Sequence, residues 1–316
     1  MSTLFDTALR PVITAAAGSE RIKHTSQRLP ITRRVVDRFV AGETQADALA
    51  AVRDAVGTGL SVTVDHLGED TTDEASAVAV VEAYLSLMEA MSALCGPEAG
   101  SLEVSIKLTA LGQALPRHGR KIAEENAHII CAAAHAAGIL VTVDAEDHAT
   151  VAERLDIVAS LRRDFDDVGT VLQAYLRRTE DDCRDAAAAG ARIRLCKGAY
   201  AEPMSVAFGE RATIDEAYLR CLRILMKGNG YPMVASHDPV MIAAAQELAV
   251  ERDRAWDSWE HQMLYGIRTD EQKRIADDGM RMRVYIPYGA EWYGYFVRRL
   301  AERPANLGFF ARALIG

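Results

Sequence analysis

The chain has 316 residues, 49% hydrophobic and 26% charged, with a net charge of −9 and a sequence pI near 5.5. That length suits a single barrel-sized domain with one large core, and the acidic balance excludes a nucleic-acid binder, which needs clustered excess Lys and Arg. Cys95, Cys131, Cys183, Cys196 and Cys221 lack CxxC spacing, so they read as free thiols in a reducing cytoplasm rather than a disulfide or metal framework.

The first residues, MSTLFDTALRPVITAAAGSE, lack a basic region followed by a long apolar stretch, and no 18-residue apolar run follows. The expectation is a cytoplasmic protein whose only membrane contact is peripheral. Residues 1–58 read as an N-terminal helical arm, since GETQADALAAVRDAVGTG has a polar start, helical apolar spacing and a Gly stop. From 59 to 316, strand-like runs alternate with longer helical stretches, the signature of a parallel α/β architecture. The runs are LSVTVDH (60–66), LEVSIKL (102–108), ILVTVDA (139–145), TVLQAYL (170–176), RIRLCKG (192–198), PMVASHD (232–238), HQMLYG (261–266) and RVYIPYG (283–289). Eight such units predict an α/β fold of the (β/α)8 TIM-barrel type, distorted and preceded by the arm. Neither LGED nor KGAY is a GxGxxG fingerprint or a P-loop.

Alternate side chains on a strand face opposite sides, so each run splits into two parities. Val104, Ile106 and Leu108 share the apolar parity of the second run and should face the helices, leaving Glu103, Ser105 and Lys107 for the barrel interior. The same split points Asp144, Gln173, Arg194 and Tyr285 inward. Five strands thus place a polar group near the end where barrel enzymes carry catalytic residues. Such a ring needs a ligand or mutual pairing to offset its desolvation. On the last helix, Tyr295, Arg298, Arg299, Glu302 and Asn306 form one polar stripe. Adjacent arginines there make a fork for a carboxylate or phosphate, while a solvated face with an Arg298–Glu302 pair is the alternative. Convergence with Lys107 and Arg194 points to an anionic ligand.

The segments SIKLTALG, VTVDAED, LQAYL, IRLCKGAY, ASHD, HQMLYG, RVYIPYG and YFVRRLAERPAN resemble, in order and spacing, the motifs of the proline dehydrogenase family. The resemblance spans roughly residues 60–310, and KGAY combined with YxxRRLxExxxN is specific to it. It implies a barrel that binds FAD non-covalently, oxidises L-proline to Δ1-pyrroline-5-carboxylate and passes electrons to a quinone. It also implies a monofunctional enzyme, with the downstream pyrroline-5-carboxylate dehydrogenase as a separate chain. By motif, Lys107, Arg298 and Arg299 resemble the residues holding the substrate carboxylate, and Asp144 the carboxylate that orients them. Tyr285, Tyr295, Leu264 and Tyr200 resemble pocket residues around the proline ring. Gln173 and Arg194 resemble flavin-ring contacts, with Arg194 near the reactive nitrogen. Cys196, Lys197, Gly198, Ala199, Ser236, His237 and Glu302 resemble contacts to the rest of FAD.

Departures from the family pattern are small. Cys196 stands where an aliphatic residue is usual, Asp238 follows His237 where Asn is frequent, and Tyr265 stands where His is often found. Related enzymes acting on hydroxyproline have a smaller residue at the position of Tyr285. Two other readings remain open on sequence. One is a Schiff-base aldolase using Lys107 or Lys197, and the other is a barrel that binds ligand without catalysis.

Overall fold

The computed structural model describes residues 38–94, 100–293 and 295. Helix α1 (Gln45–Gly57) leads into β1 (Ser61–His66), α2 (Glu74–Leu94), β2 (Leu102–Ile106), α3 (Gly119–Ala137) and β3 (Leu140–Val143). There follow α4 (Val151–Leu161), β4 (Gly169–Gln173), α5 (Thr179–Ala188), β5 (Arg192–Cys196) and α6 (Arg211–Lys227). The described chain closes with β6 (Tyr231–Ala235), α7 (Pro239–Glu251), β7 (Glu260–Leu264), α8 (Thr269–Asp277) and β8 (Met282–Tyr288). The strands pair in sequence order, all parallel, and β8 closes on β1 through partners such as Thr63 with Tyr285. Every run anticipated from sequence is a strand.

Local chemistry sets the helix ends. Thr44 and Asp47 form a reciprocal capping box at the start of α1, with Thr44 N donating to Asp47 Oδ2 at 2.9 Å. Asp238 Oδ1 accepts the Val240 N–H at 3.1 Å, and Pro239 occupies the first turn of α7, where its missing N–H costs nothing. Gly138 stops α3 in the left-handed region at φ +68°.

Of the anticipated arm, residues 1–37 lie outside the described residues. Helix α1 buries Ala48, Ala51 and Val52 in the same apolar cluster as Val62, Val104, Val284 and Ile286. This part of the arm is therefore a layer of the barrel wall. Helix α2 is long and apolar enough to cross a membrane by length and composition, with mean hydropathy 1.5, although Glu82 and Glu89 break its apolar run. Here it packs Val81, Leu87, Met88 and Met91 on the barrel, and its Tyr84 hydroxyl donates to Ser105 O at 2.6 Å.

The apolar parity does face the helices, where Val104, Ile106, Val141 and Val143 form one cluster and Leu172, Ile193 and Leu195 another. The interior is charged instead of filled with branched apolar side chains. Glu103, fully buried, takes Arg192 Nη2 at 2.7 Å on one oxygen, and Arg194 Nη2 at 2.7 Å and Thr63 Oγ1 at 2.7 Å on the other. Below it Arg283 Nε donates to Glu260 Oε1 at 2.7 Å, and its Nη2 donates to the Gly100 carbonyl at 2.6 Å. Burial alone would raise the Glu103 pKa, but Arg283, Arg192 and Arg194 outweigh it and hold the carboxyl far below its ordinary range.

Removing one partner of such a network strands a buried charge, which typically costs about 3–5 kcal/mol. Glu103→Gln should lower the urea unfolding midpoint by a corresponding amount. Because the folded pKa is depressed, this stabilisation is present above the ordinary carboxylate value and fades as pH falls through the folded one. The gap between wild type and variant should therefore shrink in acid, and equal midpoints at pH 7 would refute the role.

Candidate active site at the carboxyl end of the barrel

Four of the side chains that parity sends inward meet at the carboxyl ends of the strands. Lys107, one residue beyond β2, places Nζ 2.7 Å from Asp65 Oδ1 and 3.7 Å from Asp144 Oδ2. Asp144, just past β3, accepts Arg194 Nη1 on Oδ1 at 2.6 Å and the Tyr285 hydroxyl on Oδ2 at 2.7 Å. Arg194 also donates to Gln262 Oε1 at 2.7 Å and Ser105 Oγ at 3.0 Å, and its guanidinium carbon lies 5.2 Å from the Tyr285 ring centre. Burial opposes the charge on Lys107, yet Asp65 and Asp144 prevail and raise its pKa well above that of an ordinary lysine. A Schiff-base nucleophile must rest as a neutral amine, so the aldolase reading of Lys107 is corrected. Lys197 is likewise engaged, by Asp215 and by Asp238 Oδ2 at 2.9 Å.

A second group lies beyond β4, β5 and β6. Gln173 Nε2 donates to the Glu146 carbonyl at 3.2 Å, while its buried Oε1 has no partner among the described residues. Cys196 ends β5 and Lys197, Gly198, Ala199 and Tyr200 follow it, all half-buried, with Cys196 Sγ 3.7 Å from the Leu172 carbonyl. The loop turns at Gly198, φ +109°, where a β-carbon would overlap the Tyr175 ring. Glu202 secures the next stretch: it accepts the His148 N–H at 2.9 Å, pairs with that ring's Nδ1, and takes the Tyr175 hydroxyl at 3.4 Å. After β6, Ser236 Oγ accepts the Asp238 N–H at 3.1 Å. His237 Nε2 accepts the Leu264 N–H at 3.0 Å, and the His237 carbonyl accepts Arg268 Nη1 at 2.6 Å. Leu264 is the register partner of Tyr285. Tyr295 is buried. Arg298, Arg299 and Glu302 lie outside the described residues.

Beside these groups is a cavity of about 450 Å³, with Thr109, Gln113, Glu146, Glu153 and Tyr200 in its wall; Lys107 itself does not line it. Two residues of this region escaped the sequence reading. Asp65, the partner of Lys107, sits on the interior parity of β1, so splitting LSVTVDH as the other runs were split exposes it. Glu146 lies in the irregular stretch after β3, where no period operates, although VTVDAED contains it. Burial pushes its carboxyl up to about 7 against the lowering effect of the Thr109 hydrogen bonds.

The proline dehydrogenase family model matches residues 48–312. The chain is 39% identical over 278 residues to proline dehydrogenase 2 of Bacillus subtilis, spanning 88% of this chain and 89% of that one. It is 37% identical over 284 residues to proline dehydrogenase of Deinococcus radiodurans, covering 89% and 90%. Among solved structures, proline utilization A from Bdellovibrio bacteriovorus inactivated by N-propargylglycine superposes with TM-score 0.77 at 26% identity. That match covers 85% of this chain and 32% of the longer one.

The turn at Gly198 yields a test that does not depend on any ligand. Gly198→Ala meets both a left-handed φ and the Tyr175 ring, and overpacking of this kind costs about 1–3 kcal/mol. Thermal melting should fall accordingly. Adding Tyr175→Ala removes the overlap and should make the two substitutions less than additive; strict additivity would show that the ring does not confine the loop.

Proposed function

The chain belongs to the proline dehydrogenase family, and we propose that it oxidises L-proline to Δ1-pyrroline-5-carboxylate using non-covalently bound FAD, with a quinone as electron acceptor. The observation carrying this reading is the cluster of Lys107, Asp144, Arg194 and Tyr285 at the barrel mouth, where a ring substrate's carboxylate would meet cations already oriented by carboxylates. Lys107 would take the proline carboxylate together with Arg298 and Arg299. Asp144 orients Arg194, Tyr285 and Lys107 in one step, through both of its oxygens. Tyr285, Tyr295, Leu264 and Tyr200 would shape the pocket around the ring.

The residues beyond β4 to β6 fit a flavin. The unpartnered, buried Gln173 Oε1 suits a ring N–H donor, and Gly198 keeps the loop free of a side chain. Gln173 and Arg194 would face the flavin ring, and Cys196, Lys197, Gly198, Ala199, Ser236, His237 and Glu302 would line the remainder. A phosphate at Lys197 would compete with Asp215 and Asp238 for its ammonium group. Bound FAD supplies the two-electron acceptor. The protein fixes the carboxylate, so that the ring carbon next to nitrogen is presented in one orientation, and Arg194 supplies a fixed positive field beside it. Cytoplasmic placement with peripheral contact at the inner face of the membrane would bring the enzyme to its quinone.

The purified protein should be yellow, and anaerobic proline should bleach its flavin absorbance. A colourless protein that takes up no added FAD would remove the reading.

Substrate choice gives a second outcome. Tyr285 holds its hydroxyl on Asp144, and in the proposed pocket a ring hydroxyl on the substrate would meet bulk and a poorly paired polar contact. Such contacts cost on the order of 1–3 kcal/mol. L-proline should thus be preferred over trans-4-hydroxy-L-proline by about tenfold or more in kcat/KM. Tyr285→Ser should narrow the gap mainly by weakening proline binding. Equal efficiencies on the two substrates in the wild type would show that Tyr285 does not gate the ring.

A further inference from the structure

Proline in neutral water carries a protonated ring nitrogen, as alkylammonium groups do. Hydride departure from the neighbouring carbon needs the nitrogen lone pair, so one N–H proton must leave first. The mouth contains several carboxylates, and most are committed elsewhere. Asp144 spends its oxygens on Arg194 and Tyr285, and Asp65 holds Lys107 on Oδ1 as its ion-pair partner, leaving Oδ2 without a bond among the described residues.

Glu146 differs in its partners. Among the described residues both oxygens bond only Thr109, Oε1 through the backbone N–H at 3.3 Å and Oε2 through the hydroxyl. No ion pair involves it among the described residues. Its side chain is buried yet forms part of the cavity wall. Position also favours it. Thr109 stands two residues beyond Lys107, the proposed carboxylate anchor, and the Glu146 carbonyl holds Gln173, the proposed flavin contact. Charged and titratable groups around it are Glu69 and Asp70 from the loop after β1, Lys107 from β2, Asp147 beside it, Glu153 and Arg154 from α4, and Tyr200 after β5. Burial is the dominant influence, Glu69 adds to it and Lys107 opposes it, which leaves the carboxyl half ionised near pH 7. A base so poised can both accept and discharge a proton at neutrality.

We propose that Glu146 is the internal base of the reaction: its carboxylate takes a proton from the ring ammonium of bound proline, an N–H bond breaking as an O–H bond forms, and releases it to water in the cavity. This assignment rests on the proline reading above. The hydride that follows goes to the flavin that reading names.

The test compares wild type and Glu146→Gln, both as FAD-loaded protein. Wild-type kcat/KM for proline should fall tenfold per pH unit below about 7. The variant should lose about 10²- to 10⁴-fold at pH 7 and recover tenfold per unit at alkaline pH, because solution chemistry then provides the neutral amine. Cyclopentanecarboxylate, which has no nitrogen to deprotonate, should bind both proteins equally, and the flavin spectrum should be unchanged. Wild-type pH dependence retained in Glu146→Gln would overturn the proposal. So would a parallel loss of cyclopentanecarboxylate or FAD binding, which marks a structural role. A wild type that proline cannot bleach would instead sink the underlying reading of function.

Discussion

A single guanidinium sets the terms for this barrel. Arg194 projects from β5 into the interior and donates to Glu103 and Ser105 of β2, Asp144 after β3 and Gln262 of β7, beneath the Tyr285 ring of β8. An isolated buried cation is prohibitive, so the interior is organised as its solvation shell. The consequence is a charged column where branched apolar layers are usual. Arg192, Arg194, Arg283 and Lys107 supply four cations, and Glu103, Glu260, Asp65 and Asp144 supply four carboxylates. Each carboxylate is shared or paired, and the column as a whole is neutral. Apolar replacement of such a buried set is often neutral for stability; what the charges provide is a fixed orientation for the groups at the mouth.

That division explains what sequence conveys. Alternation along a strand is a local property, and it sent Lys107, Asp144, Gln173, Arg194 and Tyr285 inward from their own neighbours alone. All runs but the first overshoot their strands at the carboxyl end, as 102–108 does against Leu102–Ile106. Side chains there still alternate while the backbone has left the ladder to build the mouth. Pairing is not local. Glu103 meets Arg192 and Arg194 across 89 and 91 residues of chain, and no periodicity reports which inward cation finds which inward anion. Glu146 was hidden for the opposite reason, since it sits where the backbone is irregular and only its contact with Thr109 reveals its surroundings. The arginine stripe of the last helix lies outside the described residues.

The loops that complete the mouth are held by the same economy of contacts. Glu202 fastens the stretch after β5 to His148 and Tyr175, and Lys197 fastens its beginning to Asp215 and Asp238. His237 joins the other two sectors, because its ring accepts the N–H of Leu264, which faces Tyr285 in register. The proposed cofactor side and the proposed substrate side therefore share one wall, a hydrogen bond thick. Displacing the His237 ring frees the Leu264 amide, and the strand end carrying Leu264 loses one of the contacts that hold it, alongside its pairing with β8. The proposed cofactor and substrate geometries are thereby coupled: a change at β6 that moved the proposed flavin contacts would reach the proposed proline pocket through β7.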